Sequence, residues 1–506
     1  MGHLKTLDLL VVAAYALGML SIGWWSSRRQ KSVEEYFVGG RSISAFVAGI
    51  SIIATLVSTI SYLSNPGEMI KNGPGFMWVV LHMPISFFII GYLVIPHIMA
   101  QKVTSGYQLL EHRFGMGVRQ AAGIMFIFAR IFWMGLLIYT CAFAVSTISG
   151  LPLRWVLIGV GVVGTAYTVM GGIRAVMMTD VVQFTVLIGG AVLSIAYITW
   201  RCGGVSGWWP DWSSPQLAGL QWPEVKLWSF NPFDRLTVFS AVLYATSYWV
   251  LTATADQVVI QRFLSTRDAA SARRSFGISM LGDLCTSLVM FTTGLALLGF
   301  FLRFPELKPD TAAPVTAQAD RLFPHFIAAI LPAGLTGLVA SALFAAAMSS
   351  LDSGISSIST VLITDFPKVF ARGCGDEVRL LRRARLLASS VGVVAIAMSF
   401  LVTLVPGQNL LEMTVRVSSL LAAPLFVTFA LAFYAKSSTP AGAWAAIAVS
   451  LCSAVFMTYW QQIVSLFTET PDFSIVLIMP LSALLGFITG MVVSQFTTPR
   501  AEAEAP

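Results

Sequence analysis

Long apolar blocks separated by short polar stretches fill almost the whole chain. They fall at 6–26, 43–70, 75–99, 120–149, 152–172, 177–200, 236–260, 275–302, 327–364, 386–405, 409–434, 440–463 and 473–496. A helix needs roughly 20 apolar residues to cross a bilayer, so each block is long enough to span. The pattern predicts thirteen transmembrane helices in an all-α integral membrane protein. Three blocks carry unusual polarity. Block two holds Thr55, Ser58, Thr59 and Ser61 ahead of Asn65-Pro66-Gly67, block seven reads YATSYWVLTATADQVVIQRF, and block nine reads ALFAAAMSSLDSGISSISTVLITDF. Blocks two and seven lie five apart. That spacing suits two five-helix inverted repeats, spans 2–6 and 7–11, each opening on a broken helix.

Composition removes most other classes. Of 506 residues 56% are hydrophobic and 11% charged, against about 25% charged in soluble domains. A soluble enzyme, a disordered chain and a nucleic-acid binder are excluded. The net charge of +7 reflects Lys and Arg gathered on one side of the membrane. With an odd span count and the N-terminus outside, inner segments exceed outer ones in Lys and Arg by roughly two to one. Arg262, Arg273, Arg274, Lys368, Arg379, Arg382 and Arg383 are among the residues counted inside. The expected arrangement is a plasma (inner) membrane protein with an outer N-terminus. It has a single domain over 1–496, core repeats near 43–200 and 236–434, and a short cytoplasmic tail at 497–506. Trp208, Trp209 and Trp212 suit an outer interface or a hydrophobic plug. The cysteines and histidines show no ligand spacing. No phosphate loop, nucleophile elbow or paired-His motif appears, so no enzyme, no organic cofactor and no obligate protein partner are expected.

A charge inside the bilayer is costly, so each marks a candidate site. In span two, Pro66 and Gly67 are expected to break the helix and free carbonyls near the Ser58 and Ser61 hydroxyls, giving a sodium and substrate site or an ordinary proline kink. In span seven, Asp256 and Gln257 join the candidate substrate residues. In span nine, Ser349, Asp352, Ser353 and Ser356 share one helical face, and oxygen ligands on such a stripe suit a hard cation. Small residues there also serve helix packing. Glu412 and Arg416 in span eleven form either an i,i+4 pair or a substrate site. Arg130 either reaches the headgroups or faces the substrate. Asp283 is expected to pair with a loop arginine.

Four motifs together resemble the sodium:solute symporter family: EEYFVGGRS (Glu34–Ser42), GGIRAVMMTDVVQ (Gly171–Gln183), TADQVVIQRFLS (Thr254–Ser265) and AAAMSSLDSGISSISTVLITDF (Ala345–Phe366). The resemblance implies a leucine-transporter-type fold and alternating access driven by sodium. It implies a first sodium site of the Ala54, Val57 and Ala346 carbonyls with the Ser349 and Ser350 hydroxyls. A second site, present in some members, maps to Asp180, Ser349, Asp352 and Ser353. The carboxylate at 352 replaces a hydroxyl there and would hold either sodium or a proton. The stretch MGLLIYTCAFAVSTISG (Met134–Gly150) is similar to the branch that carries monocarboxylates, vitamins and iodide, and Arg416 stands where the sugar branch has a glutamine. The expected function is sodium-coupled symport of a small, carboxylate-bearing solute, with Arg416, or Arg130, offering a planar fork to the carboxylate. A neutral or zwitterionic solute and a sensor without turnover are the alternatives. Expected partners are membrane lipids, sodium and the substrate.

Overall fold

The computed structural model describes residues 4–497 except 29–31, 212, 214–216, 218, 221, 230, 232, 235, 373–375, 405–409 and 466–472. Within the helix that follows 409, the side chains of 410–419 and 421 also lie outside the description. The main helices are α1 (Thr6–Ser27), α2 (Ala45–Leu56), α3 (Thr59–Asn72), α4 (Met116–Ser149), α5 (Leu153–Cys202), α6 (Val238–Ala255), α7 (Gln257–Leu264), α8 (Ala269–Arg303), α9 (Leu335–Asp365), α10 (Glu377–Val402), α11 (Leu410–Tyr434), α12 (Pro440–Thr458) and α13 (Ile475–Gln495).

Ten helical stretches among the described residues are long and apolar enough to cross a membrane, and one bent pair adds an eleventh. Two predicted spans account for the difference from thirteen: spans five and six form one continuous helical stretch, and span eleven falls partly outside the described residues. The 50 residues of α5 would extend about 75 Å as a straight rod, more than twice the hydrocarbon thickness. They are two predicted spans joined at Gly172, where φ 55° and ψ −164° demand a residue without a Cβ. The third predicted span is a run of 3-10, α and π turns from Gly73 to Met99. Large apolar side chains such as Phe128, Trp200 and Leu281 point outward, as lipid contact requires.

The second span breaks, but not at the proline. Pro66 lies inside α3, and the chain leaves helical geometry at Val57 and Ser58. Pro66 is the eighth residue of α3 and forgoes the amide bond to Tyr62 O, yet the helix continues through it to Asn72. The Ser58 hydroxyl then accepts from the Ser61 amide at 3.3 Å and restarts the helix. The seventh span breaks the same way at Asp256, whose carboxylate accepts from the Val258 amide at 2.8 Å.

Around these breaks α9 forms the central pillar. It is buried along most of its length and packs most extensively on α5, then on α4 and α1. Its N-terminal amides would be orphaned in an apolar setting. The buried Asp8 carboxylate of α1 accepts from Gly334 N at 2.7 Å and Gly337 N at 2.8 Å. At Gly337 any Cβ would meet the Asp8 backbone at 2.6 Å.

Asp8→Ala therefore removes both acceptors from the start of α9. The expected loss is about 1–2 kcal/mol, read as a lowered unfolding temperature of the purified protein, with Asp8→Asn retaining part of the cap.

Candidate functional site

The two breaks face each other across α9. At the end of α2, backbone carbonyls have lost their helical partners, and α9 presents serine hydroxyls to them. Ser349 donates to Ala54 O at 2.8 Å, and Ser350 donates to Thr55 O at 2.6 Å. Ser349 also reaches Ala346 O at 3.3 Å. Ala54, Val57, Ala346, Ser349 and Ser350 are all buried. Carbonyl and hydroxyl oxygens converge there in a setting from which water is excluded, and such a donor set suits an alkali cation.

Beside it lies a partly open cavity, about 800 Å³ of empty space when its mouth to solvent is included. Its walls are mainly apolar: Leu56, Phe126, Trp133, Tyr248, Leu251 and Leu425. Four polar residues join them: Thr55, Thr252, Arg130 and Asp256. Arg130 does not extend to the membrane surface. Its side chain is 9% exposed, and Nη1 lies 3.9 Å from Asp256 Oδ2. Nε and Nη2 are buried without a hydrogen-bond partner among the described residues. These two nitrogens form the side-on edge of the guanidinium, whose N–H bonds run parallel and match the two oxygens of a carboxylate. The missing Cβ of Gly354 makes room for this side chain and for Met134, since an added carbon would meet Met134 Sδ at 2.5 Å and Arg130 Cγ at 3.4 Å.

Other expected residues sit elsewhere. Ser58 and Ser61 are joined in the cap of α3 and do not line the cavity. Gln257 also lies off the wall: its amide accepts from Gly106 N at 2.8 Å and donates to Thr104 O at 3.1 Å, fixing the start of α7 to that loop. The side chains of Glu412 and Arg416 lie outside the described residues. Asp283 faces His82 at 3.5 Å rather than a loop arginine.

Two arginines counted among the loop charges prove to be buried. Arg119 on α4 pairs with Asp365 at the end of α9 at 2.6 Å. Arg262 on α7 is wholly buried and pairs with Asp180 at 3.0 Å. A buried ion pair holds only if further hydrogen bonds offset its desolvation. Arg262 has them: Nε donates to Ser51 Oγ at 2.7 Å, Nη1 to Val258 O at 2.8 Å, and Nη2 to Thr55 Oγ1 at 2.7 Å and to Ser353 Oγ. Asp180 also accepts from Ser51. Asp352 accepts from Tyr167 Oη at 2.8 Å and from Ser353 Oγ at 3.2 Å. Gln183 donates to the same tyrosine at 3.0 Å. Arg262 stands six residues past the break, next to a serine-rich face of α9. An arginine in the apolar half-helix VVIQRF was the signal available for it.

The profile of the Sodium:solute symporter family matches residues 36–449. The chain belongs to this family. It is a sodium-coupled symporter of a small solute, a multi-pass membrane transporter and not an enzyme. Among curated relatives, the sodium/sialic acid symporter SiaT of Proteus mirabilis is 26% identical over 459 residues, covering 90% of each chain. Sodium-coupled monocarboxylate transporter 1 of Xenopus laevis is 26% identical, covering 94% of this chain and 75% of its own. A solved Na+-coupled sialic acid symporter, in a substrate-bound outward-open state, superposes with a TM-score of 0.84 over 98% of both chains at 24% identity. The transporter Mhp1 in a closed conformation gives 0.54 at 13% identity, covering 91% of this chain and 92% of that one. The fold is the leucine-transporter-type pair of inverted five-helix repeats, and the symporter's two broken spans are α2–α3 and α6–α7.

Tyr167→Phe removes the hydroxyl that joins Gln183 to Asp352. It leaves a buried donor unpaired and a carboxylate with one partner fewer, at an expected cost of about 1–3 kcal/mol, measured by thermal unfolding in detergent.

Proposed function

We propose that this symporter carries a solute bearing a carboxylate group, bound by the Nε/Nη2 edge of Arg130. The observation that supports this is the unpaired pair of parallel donors, buried in a cavity with apolar walls. A buried guanidinium edge without an acceptor is costly, and a substrate carboxylate satisfies both donors at once. Asp256 holds the opposite side of the guanidinium and keeps the fork aimed inward. Its own Oδ2 lies 3.9 Å from Arg130 Nη1 and offers an acceptor to a hydroxyl or amino group on the same solute. A neutral solute would leave the fork unpaired.

Sodium binds, in this reading, among Ala54 O, Val57 O, Ala346 O, Ser349 Oγ and Ser350 Oγ. The ion joins the end of α2 to α9 and favours the state in which the cavity is open to the outside. Thr55 lies at the junction. Its carbonyl meets Ser350, and its residue also lines the cavity, so ion and substrate sites share one residue. Import follows with the N-terminus outside, the tail from 497 inside and the span-two to span-eleven repeats as the moving core, in the plasma membrane. Lipid, sodium and solute suffice as partners. This reading uses Arg130, which lines the cavity with Nε and Nη2 unpaired among the described residues; the side chain of Arg416, the other expected fork, lies outside the described residues.

Thermal-shift screening of carboxylic acids against their amides, with and without sodium, tests the reading. One acid is expected to stabilise the protein only when sodium is present, and its amide is not. Stabilisation by the amide alone would refute the carboxylate assignment. Arg130→Lys keeps the charge but loses the fork, and should weaken that acid by about 1.5–3 kcal/mol. Ser349→Ala with Ser350→Ala should raise the half-saturating sodium concentration roughly tenfold or more, about 1.4 kcal/mol, in uptake by proteoliposomes.

A further inference from the structure

Arg273, in the first turns of α8, lies between two helices. Its guanidinium covers the face of Tyr92, 4.6 Å from the ring centre, and Tyr92 belongs to the π turn Ile89–Val94 of the third span. The arginine stem crosses Gly91, where an added Cβ would meet Arg273 Cγ at 3.2 Å. The carboxylate at the start of α8 is otherwise engaged: Asp268 accepts from Ser271 N at 2.8 Å and pairs with Arg267 at 3.2 Å. Arg273 and the exposed Arg274 beside it have no acidic partner among the described residues.

Two apolar ridges run from this charge toward the middle of the membrane. On the third span Tyr92, Phe88 and Ile85 follow at helical spacing, and all three are exposed. On α8 Gly277 and Leu281 follow Arg273 at four-residue steps, with Leu288 beyond them, and both leucines are exposed. The two elements pack together, and the floor between the ridges is low. Gly277 has no side chain, and a Cβ there would meet Phe87 Cε2 at 3.2 Å. From Arg273 to Leu288 is about 22 Å along the helix, enough to cross the hydrocarbon of one leaflet, about 15 Å.

We propose that this groove binds an anionic phospholipid of the inner leaflet, with its phosphate on Arg273 and Arg274 and an acyl chain between the third span and α8. The orientation given above places the start of α8 at the cytoplasmic leaflet, where anionic lipids gather and where basic pockets between helices take their headgroups. A guanidinium fork without a protein acceptor suits a phosphate, and the exposed ridges offer the chain a contact that a soluble anion cannot use. Arg28 provides the contrast. It lies over Trp24 at 3.8 Å, but there cation and ring belong to the same helix, so the contact defines no groove. Since α8 follows α7 through the 265–268 turn, a lipid on its first turns steadies the inner end of the seventh span.

Thermal unfolding of the whole protein in detergent, with added phosphatidylglycerol, phosphatidylcholine or glycerol 3-phosphate, tests this. Phosphatidylglycerol is expected to raise the unfolding temperature at a mole fraction roughly tenfold below that needed for phosphatidylcholine, and glycerol 3-phosphate to have no effect. Arg273→Gln with Arg274→Gln should abolish the preference. Tyr92→Leu, which keeps the net charge, should weaken it, and Arg28→Gln should leave it intact. An equal response to both lipids, stabilisation by glycerol 3-phosphate as strong as by lipid, or an equal loss in Arg28→Gln overturns the proposal. Each variant's unfolding temperature without lipid reports on folding. Should the double variant fail to fold, Tyr92→Leu decides, because an unchanged preference there overturns the site. Lipid is added to solubilised protein, so these outcomes do not depend on sidedness. Reaction of Arg274→Cys with an impermeant thiol reagent outside intact cells would overturn the orientation and the inner-leaflet assignment with it.

Discussion

Backbone carbonyls released at the end of α2 cannot stay bare inside a membrane, and that requirement organises the centre of the molecule. Ala54 and Thr55 lose their helical partners because the chain turns extended at Val57 and Ser58. Ser349 and Ser350 of α9 supply hydroxyls to them. The serines can reach only because α9 lies close to α2, and α9 lies there because its small side chains allow close packing on α5. A cation-binding arrangement thus arises where two structural needs coincide: satisfying the freed carbonyls, and packing a small-residue helix tightly.

Thr55 extends this arrangement in two directions. Its carbonyl belongs to the α2–α9 contact, its residue lines the cavity, and its hydroxyl accepts from Arg262. The cavity wall, the α9 contact and the half-helix α7 therefore meet within one residue. Coupling between sites requires an element with two arrangements that both ligands bias. The end of α2 and the start of α7 are each a helix end with its own polar anchors. The energy at stake is modest. One charge crossing 100 mV is worth about 2.3 kcal/mol, and a tenfold gradient about 1.4.

The buried arginines show how context assigns roles to identical residue types. Arg119 and Arg262 are fully engaged with carboxylates, hydroxyls and carbonyls and act as braces. Among the described residues Arg130 has a long contact to Asp256, and its Nε and Nη2 are buried without a partner. Charge and hydropathy treat all three alike. Their partners lie on helices far away in sequence, and the partners separate a fully engaged brace from an arginine with an unpaired edge.

Much of the architecture was legible in the residues. Apolar block length fixed the helical class, because a bilayer admits few alternatives, and the polarity of blocks two and seven marked the broken spans. The contact between Ala54 and Ser349 was legible through family resemblance, since those short motifs carry the serines and the small residues together. Other features belong to tertiary structure alone. Pro66 looked like the break, yet α3 runs through it to Asn72, and the break lies at Val57 and Ser58. Arg262 read as a loop charge because it follows a polar stretch near a span end, but α7 turns inward and buries it against Asp180. Arg130 read equally well as a headgroup contact until Gly354 and Asp256, more than 100 residues away, were seen to hold it at the cavity. Hydrophobic periodicity is a local property and survives in the sequence. The pairing of buried charges depends on which helices become neighbours, and only the folded chain decides that.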